Sequence, residues 1–309
     1  MSTAGSKRAI LAALLANLGI AIAKFVGFAV TMSSSMLAEG VHSLADTGNQ
    51  VLLLLGGKRS RREPTPHHQF GFGRERYFWA FVVSIVLFTL GSAFAVFEGI
   101  EKILHPHQLE SPGWAIGILG VAFILEAFSF RTAVHEARPA KGRGTWRGFI
   151  RHSKSPELPV VLLEDTGALI GLAIALAAVV IDTVTGNAIW DGIGTLSIGL
   201  LLGVIAMVLC IEMKSLLIGE AASPAHEAAI REAIGQSPDV IDLIHLRTEH
   251  LGPEHILVAA KAEFRGELSM AQLADAINGV ESRIRAAVPE ATSIFVEPDI
   301  RRSIALGSD

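Results

Sequence analysis

Long apolar stretches separated by short polar segments dominate the first two thirds of the chain. A helix needs about 20 predominantly apolar residues to cross the hydrocarbon core of a bilayer. Six stretches approach or exceed that length and predict membrane-spanning helices at Ala9–Thr31, Ser35–Gly57, Tyr77–Ile103, Gly113–Glu136, Leu158–Thr183 and Ile189–Ile218. The fifth is the least regular, because Glu164, Asp165 and Asp182 interrupt its apolar pattern.

The pattern changes after about Gly219, where shorter amphipathic segments replace the apolar stretches. Helical periodicity and strand-like alternation predict a helix at Pro224–Gln236, strands at Val240–Thr248 and His255–Phe264, a helix at Ser269–Val288 and a strand at Ser293–Glu297. The order αββαβ fits a small α+β sandwich with helices on one face of a sheet. We therefore predict a membrane domain at residues 1–219 and a soluble α+β domain at residues 220–309.

The composition agrees with an α-helical membrane protein. Hydrophobic residues make up 50% of the chain and charged residues 18%, whereas soluble domains carry roughly 25% charged residues. The single cysteine, Cys210, excludes a disulfide framework and a cysteine-rich zinc site. The apolar run that follows Lys7 and Arg8 is too long for a signal-peptide core of about 7–15 residues, so we expect it to remain as the first helix.

Basic residues are concentrated in alternate connections between the predicted helices. The second-to-third and fourth-to-fifth connections contain Lys58, Arg59, Arg61, Arg62, Arg74, Arg76, Arg138, Lys141, Arg143, Arg147, Arg151 and Lys154. The other three connections contain no Lys or Arg. The positive-inside rule therefore predicts that both termini and the soluble domain are cytoplasmic. The basic connections either set topology alone or also contact lipid or metal.

A histidine and an aspartate lie four residues apart in the second predicted helix. His42 and Asp46 share one helix face, and ionisable residues inside a bilayer are costly enough to indicate a functional site. An imidazole and a carboxylate suit a divalent ion such as zinc, which usually takes four ligands. Asp165 is the best candidate from another helix, and Glu164 and Glu39 are further candidates. Glu164 points about 100° away from Asp165, so a regular helix does not turn both toward one ion.

Other interpretations of these polar residues remain open. His42 and Asp46 also fit a structural hydrogen-bonded pair within the bundle. Glu39, Asn17 and Glu126 are interpreted as packing or cavity residues rather than ligands, and Lys24 as the partner of a carboxylate.

Four motifs resemble one family of membrane proteins. The segment Ser33–Asp46 resembles the second-helix signature of the cation diffusion facilitator family of zinc transporters. The segments Asn17–Lys24 and His68–Arg74 are similar to the family's first helix and to its motif before helix three. The segment Leu162–Thr166 resembles the subgroup that includes a mitochondrial zinc exporter of animals. The resemblance covers nearly the whole chain.

The resemblance implies a homodimer that exports cytoplasmic Zn²⁺ in exchange for protons by alternating access. It implies a bundle of six transmembrane helices with a ferredoxin-like, metallochaperone-type cytoplasmic domain. By position, His42, Asp46 and Asp165 match the family's ion-binding residues between helices two and five. The family's fourth ligand is a histidine where this chain has Val161, so Glu164, Glu39 or water is left to complete the shell. No resident cofactor is expected besides the transported ion and protons.

Accessory metal sites of some relatives are incomplete in this sequence. Phe72 stands where the loop motif has its second histidine, and Ala260 and Phe295 stand where relatives have histidines in the soluble domain. His245 and Glu297 lie near the family's ligand positions. We therefore expect no binuclear metal cluster in the soluble domain.

Rival functions are distinguished by the same residues. The missing histidine allows a scaffold or regulatory membrane protein that does not transport, and an oxygen-rich shell favours Mn²⁺ or Fe²⁺. An enzyme is not expected, because the sequence contains neither a nucleophile–base pair nor a His-Glu-x-x-His motif. Nucleic-acid binding is not expected either, since the soluble tail is acidic. The simplest location is a bacterial plasma membrane, or the mitochondrial inner membrane if the source is eukaryotic.

Overall fold

The computed structural model describes residues 3–109 and 111–300. The chain divides into two compact units, which are described separately. The first consists of Met1–Arg59 and Arg76–Lys214, and the second of Ser60–Glu75 and Ser215–Asp309. The predicted domain boundary after residue 219 remains a prediction, and residues 301–309 of the predicted soluble domain lie outside the described residues.

The first unit is a bundle of long helices. Its helices are α1 (Thr3–Thr31), α2 (Ser34–Arg59), α3 (Glu75–Val86), α4 (Phe94–Leu104), α5 (Pro112–Lys141), α6 (Trp146–His152), α7 (Glu157–Thr185) and α8 (Ile189–Ile218). A helical turn of π type joins α3 to α4, so each of the six predicted spans corresponds to one continuous helical segment.

Within residues 3–109 and 111–300, four of the helical segments are long and apolar enough to cross a bilayer. They are Glu75–Leu104, Pro112–Pro139, Glu157–Thr185 and Ile189–Ile218. The segment Asn17–Thr31 of α1 is apolar but shorter, and α2 is diluted by buried polar residues such as Glu39, His42 and Asp46. The predicted class of an α-helical membrane domain is confirmed.

The third span differs from the single α-helix that the sequence predicts. Leu87–Ala93 forms a π-helix between α3 and α4. Within it, the Ser92 hydroxyl donates to the Gly199 carbonyl of α8 over 2.8 Å. A Cβ placed on Gly91 would lie 4.0 Å from Nδ1 of His42. Such π-helical insertions occur frequently at functional sites, and this one brings a glycine backbone close to the predicted ligand.

Glycines allow α4 and α8 to pack backbone against backbone. A Cβ on Gly99 would lie 2.5 Å from the Leu196 nitrogen, and one on Gly199 would lie 2.7 Å from the Val96 nitrogen. No L-side chain fits at these distances without moving a helix. Small residues at such crossings let membrane helices gain van der Waals contact, since lipid supplies no hydrophobic drive for association.

Gly99→Ala is expected to destabilise the bundle by about 1–3 kcal/mol, the usual cost of overpacking. The control is Gly120→Ala in α5, where an added Cβ meets nothing within 4 Å. That control should be neutral or slightly stabilising, because alanine favours helix more than glycine does. Unfolding of the purified full-length variants in mixed micelles measures both. Equal stability of the two variants would contradict the backbone contact.

The short helix α6 was not predicted from the sequence. Thr145 caps it by accepting a hydrogen bond from the Gly148 nitrogen at 3.0 Å. Phe149 is buried and packs with Ala137 and Leu162. Seven residues are too few to show a clear helical period, so the sequence of this segment indicates only a basic connection.

The second unit contains a three-stranded sheet with two helices. Its elements are α9 (Pro224–Gly235), β1 (Val240–Gly252), β2 (His255–Phe264), α10 (Met270–Ala287) and β3 (Ala291–Asp299). The strand order is β1-β2-β3, with β1 antiparallel and β3 parallel to β2. This is the predicted αββαβ order, and the ferredoxin-like α+β class is confirmed.

Local signals in the second unit explain its elements. Ser269 caps α10 as predicted, in a capping box with Gln272. Ile230, Val258 and Val280 are fully buried in the core between the helices and the sheet. The strands β1 and β3 run beyond the predicted ends, because pairing with β2 extends into polar residues that the alternation does not mark.

The loop between α2 and α3 belongs to the second unit. A Cβ on Gly73 would lie 2.5 Å from the Leu251 carbonyl oxygen, so loop and strand backbones touch. Next to it, Arg74 forms an ion pair with Glu249 of β1. The contact joins residues more than 170 positions apart, so no local pattern in the sequence marks it.

Candidate metal site

His42 and Asp46 lie together on the buried face of α2. The His42 Nε2 atom is 3.5 Å from Oδ2 of Asp46. The His42 residue is fully buried and Asp46 is 9% exposed. The i, i+4 spacing places both side chains on one face, as predicted. The distance is too long for a strong hydrogen bond, so the two groups face the same space without satisfying each other.

Several buried polar atoms along this face lack a hydrogen-bond partner among the described residues. They are Nδ1 and Nε2 of His42, Oδ1 of Asp46, Oε1 of Glu39, Oδ1 of Asn49 and Oε1 of Gln50. Leaving such a group buried and unpaired costs about 1–3 kcal/mol, and more if it is charged. All of these atoms except one nitrogen of the neutral His42 imidazole are acceptors, and a bound cation would satisfy acceptors of this kind.

Glu39 is held by a lysine from α1. The Lys24 ammonium donates to Glu39 Oε2 at 3.0 Å and to the Ser43 hydroxyl at 2.7 Å, and all three side chains are buried. The prediction that Lys24 partners a carboxylate is confirmed. The other oxygen of Glu39 faces α7 where Gly171 leaves room, since a Cβ there would lie 2.5 Å from Oε1. Glu39 therefore reaches the α2–α7 interface with half of its carboxylate engaged.

On α7, Glu164 points toward α2. The Asn49 side-chain amide donates to Glu164 Oε1 at 2.7 Å, and both residues are buried. This hydrogen bond places the Glu164 carboxylate at the interface of α2 and α7.

The neighbouring Asp165 points toward α5 instead. Its Oδ2 accepts a hydrogen bond from the Ser129 hydroxyl at 3.1 Å, and Glu126 of α5 lies close enough to act on it electrostatically. Adjacent residues on a regular helix diverge by about 100°, and the structure shows that divergence. Val161, one turn earlier, is half-buried and offers no ligand atom.

The structure thus brings His42 and Asp46 together and directs Glu39 and Glu164 to the same interface, while Asp165 is turned aside. Among residues 3–109 and 111–300, no three His, Cys, Asp or Glu side chains already stand close enough to hold a metal ion. Among the described residues, His42 and Asp46 therefore stand without a third side chain of these types in ligand position.

Asn49 and Ser129 were missed by the sequence analysis. Each is a neutral polar residue that hydrogen-bonds a carboxylate of α7. The only signal was polarity within an apolar helix, which also fits helix packing. Neither pairing has a fixed sequence spacing.

In the second unit, the two residues near accessory ligand positions, His245 and Glu297, have protein partners. Arg247 Nε donates to His245 Nε2 at 2.7 Å. The Lys261 ammonium lies 3.1 Å from a Glu297 oxygen and 3.0 Å from an Asp299 oxygen. The hydrogen bonds to Asp299 and Glu297 raise the pKa of Lys261. The carboxylates of Glu297 and Asp299 are therefore both paired with Lys261.

Comparison with known proteins identifies the family. The cation efflux transmembrane domain matches residues 10–218, and the cytoplasmic domain of cation efflux proteins matches residues 222–299. The chain belongs to the cation efflux, or cation diffusion facilitator, family. This cation efflux protein is therefore a multi-pass membrane protein of a transporter family, and the predicted resemblance is confirmed.

Curated relatives fall in the predicted subgroup. The chain is 33% identical over 247 residues to "Proton-coupled zinc antiporter SLC30A9, mitochondrial" of Mus musculus, covering 79% of this chain and 44% of the relative. It is 31% identical over 265 residues to "Metal tolerance protein C4" of Arabidopsis thaliana, covering 85% of this chain and 58% of the relative. The chain thus spans about half the length of these relatives. A solved structure of MamM-CTD is 23% identical, covering 25% of this chain and 96% of that chain, with a TM-score of 0.24.

Proposed function

We propose that this cation efflux protein exports Zn²⁺ or a similar divalent cation from the cytoplasm in exchange for protons. The observation that carries the proposal is the row of unpartnered, buried polar atoms on α2, most of them acceptors, around His42 and Asp46. Two relatives whose names state zinc antiport or metal tolerance support it.

The proposed cargo site lies between α2 and α7. His42 supplies a nitrogen ligand and Asp46 an oxygen ligand. On α7, Asp165 or Glu164 supplies a further carboxylate, and Asp46 interacts electrostatically with both. Glu39 contributes its unpaired oxygen or the negative charge alone. Four ligands of this kind suit zinc, and water completes the shell where a histidine is absent.

Proton exchange follows from the ligand types. A metal binds the neutral imidazole and the ionised carboxylates, so protons compete with it for the same atoms. Binding therefore strengthens as pH rises and weakens as pH falls. When the site opens to the more acidic side, His42 and a carboxylate take up protons and the metal leaves. Alternating access is expected to rock the helices that carry the site against the remaining helices.

The test is zinc flux in proteoliposomes with an imposed pH gradient. We expect flux that reverses when the gradient is reversed, together with movement of protons in the opposite direction. A protein of the same fold that serves only as a scaffold or regulatory partner would show no flux above protein-free liposomes. That result would contradict the proposed function.

Transport of Mn²⁺ or Fe²⁺ is the second candidate, and the position of Glu164 favours it. Val161 replaces the histidine of many relatives, and a second carboxylate faces α2 at that level. Oxygen ligands shift preference from zinc toward harder cations, whereas His42 shifts it back. The extent to which each ion inhibits zinc flux ranks the ions by preference. Introducing a nitrogen ligand by Val161→His should increase the preference for zinc over Mn²⁺ and Fe²⁺. An unchanged order of preference among the ions would place Val161 outside the ligand shell of the metal.

Asn49→Ala is expected to weaken metal binding by about 10–100-fold, the usual effect of losing an outer-shell partner. The amide of Asn49 holds Glu164 at the interface by a 2.7 Å hydrogen bond. Isothermal titration of the purified protein with Zn²⁺ measures the change. The matched control is Ser129→Ala, which frees Asp165 instead. A loss only in the Ser129 variant would assign the ligand role to Asp165.

Assembly and location form part of the same proposal. We expect a homodimer, as the match of residues 222–299 to the family's cytoplasmic domain supports. Both termini are expected on the cytoplasmic side, because of the basic connections. A bacterial plasma membrane, or a mitochondrial inner membrane in a eukaryote, is the expected location.

A further inference from the structure

Three serines at the start of α2, Ser33, Ser34 and Ser35, are held by a carboxylate from α8. Asp191, in the first turn of α8, is fully buried. Its Oδ1 accepts hydrogen bonds from the Ser33 hydroxyl at 3.0 Å and the Ser35 nitrogen at 3.3 Å. Its Oδ2 accepts one from the Ser34 nitrogen at 2.8 Å. Free amides at a helix start favour an anion, so Asp191 caps α2 from another helix. We call Asp191 and these three serines the serine latch.

Further hydroxyl contacts extend the serine latch. The Ser35 hydroxyl donates to the Asp191 carbonyl at 3.0 Å and lies 3.0 Å from the Thr195 hydroxyl. The Ser34 hydroxyl donates to Glu98 of α4 at 2.9 Å. The start of α2 is therefore tied to both α8 and α4 by directional hydrogen bonds.

The latch joins helices that pack in different ways. The helix α2 packs against α1, α7, α4 and the π-helix Leu87–Ala93. The contacts of α8 with α4 are backbone contacts at glycines such as Gly99 and Gly199. Between α7 and α8 the contacts include small and apolar residues, for example Gly194 with Ala178 and Gly167 with Ile205. Apolar surfaces of this kind can slide over one another, whereas the latch must break before α2 separates from α8.

The polar groups of the serine latch can exchange their hydrogen bonds to one another for hydrogen bonds to water. In a dry bundle, the Asp191 carboxylate and the amides of α2 satisfy one another, and separating them without water would leave buried polar groups unpaired. If water enters at this end, each group exchanges one hydrogen bond for another, and the net free-energy change is small. The closed, bonded arrangement and the open, hydrated arrangement are thus two discrete states.

We propose that Asp191 is a positioning residue for transport, which closes the α2–α8 end of the bundle by capping α2 and releases it when that end opens. His42 lies on α2 eight residues beyond Ser34, about 12 Å along the axis at 1.5 Å per residue. Release of the latch would therefore open the bundle at the N-terminal end of α2, on that side of the cargo site. The role in transport rests on the proposed function, whereas the latch itself is tested without transport.

Thiol labelling tests the latch directly. The reporter is Ala38→Cys, at a buried α2 position one turn beyond the latch, in a Cys210→Ser background. A water-soluble maleimide is applied to the purified full-length protein in detergent. Asp191→Asn should accelerate labelling by about tenfold, because a charge-assisted acceptor is lost from the closed state alone. Glu101→Gln is the matched control. Glu101 lies on α4 three residues after Glu98, and it pairs with His105, which directly follows α4, rather than with the start of α2.

A second reporter separates latch release from general loosening. Leu53→Cys is buried near the other end of α2. Release of the latch should leave its labelling unchanged in Asp191→Asn, whereas a loss of overall stability would accelerate both reporters and overturn the proposal. Labelling of the first reporter at the parent rate would overturn it as well. In flux assays, the variant should lower the maximal rate without changing the zinc concentration at half-saturation, because the ligands are intact.

Ser35→Ala keeps the proposal testable if Asp191→Asn does not fold. That variant loses the hydroxyl bonds to the Asp191 carbonyl and Thr195 but keeps the carboxylate cap. A smaller acceleration of the first reporter, about threefold, is expected because neutral hydrogen bonds are weaker than charge-assisted ones. No acceleration would overturn the latch. If the parent protein neither binds nor moves zinc, the proposed function fails while the labelling result still stands for the latch.

Discussion

Asp46→Asn is expected to reduce zinc flux in proteoliposomes by at least about 100-fold, more than is usual for an outer-shell partner. The substitution keeps the shape of the side chain and removes the negative charge. Asp46 lies beside His42 on α2 and is proposed to share the ion with Glu164 or Asp165 of α7. Without its charge, the proposed site loses the ligand that connects the two helices.

Flux measured at a fixed pH gradient and equal protein density checks this prediction. The control is Glu101→Gln, which removes an exposed carboxylate that pairs with His105 outside the proposed site. The control should transport at the parent rate. Undiminished flux in Asp46→Asn would contradict the assignment of the cargo site, while equal losses in both variants would indicate a defect in folding or insertion.

Lys24→Met is expected to destabilise the protein by about 3–5 kcal/mol, because it leaves one partner of a buried ion pair unpaired. The Lys24 ammonium lies 3.0 Å from Glu39, and both side chains are at most 1% exposed. The Ser43 hydroxyl loses its donor at the same time. The methionine fills a similar volume, so the loss reports the charge rather than a cavity.

Two comparisons make the Lys24 prediction specific. Adding Glu39→Gln to Lys24→Met should recover most of the stability, because the uncompensated charge is removed. Arg231→Met breaks an exposed pair with Glu227 and should cost only about 0–1 kcal/mol. Unfolding in mixed micelles measures all variants. A loss in Lys24→Met no larger than that in Arg231→Met would show that the buried pair contributes little.

Much of the architecture follows from local patterns in the sequence. The apolar lengths predict the six helical segments, and αββαβ periodicity predicts the sheet of the second unit. The His42–Asp46 pair follows from helical spacing alone, and Lys24 was correctly predicted to partner a carboxylate. Each of these predictions depends either on spacing within one helix or strand or on the free-energy cost of placing a charge in lipid.

Features that depend on distant contacts were not predictable in the same way. The π-helical turn at Leu87–Ala93 replaces α-helix where Ser92 reaches α8. Glu164 is directed by Asn49, 115 residues earlier in the chain. Asp191 caps serines more than 150 residues away. No periodicity marks these pairs, because each depends on which helices become neighbours in the bundle.

The most direct measurement is anomalous scattering at the zinc absorption edge from crystals of the full-length protein grown with Zn²⁺. A site between α2 and α7 predicts a peak at about 2.0–2.2 Å from a His42 ring nitrogen and from an Asp46 oxygen, with a carboxylate of α7 moved within the same distance. A zinc peak found elsewhere, with none between these two helices, would contradict the intramembrane cargo site.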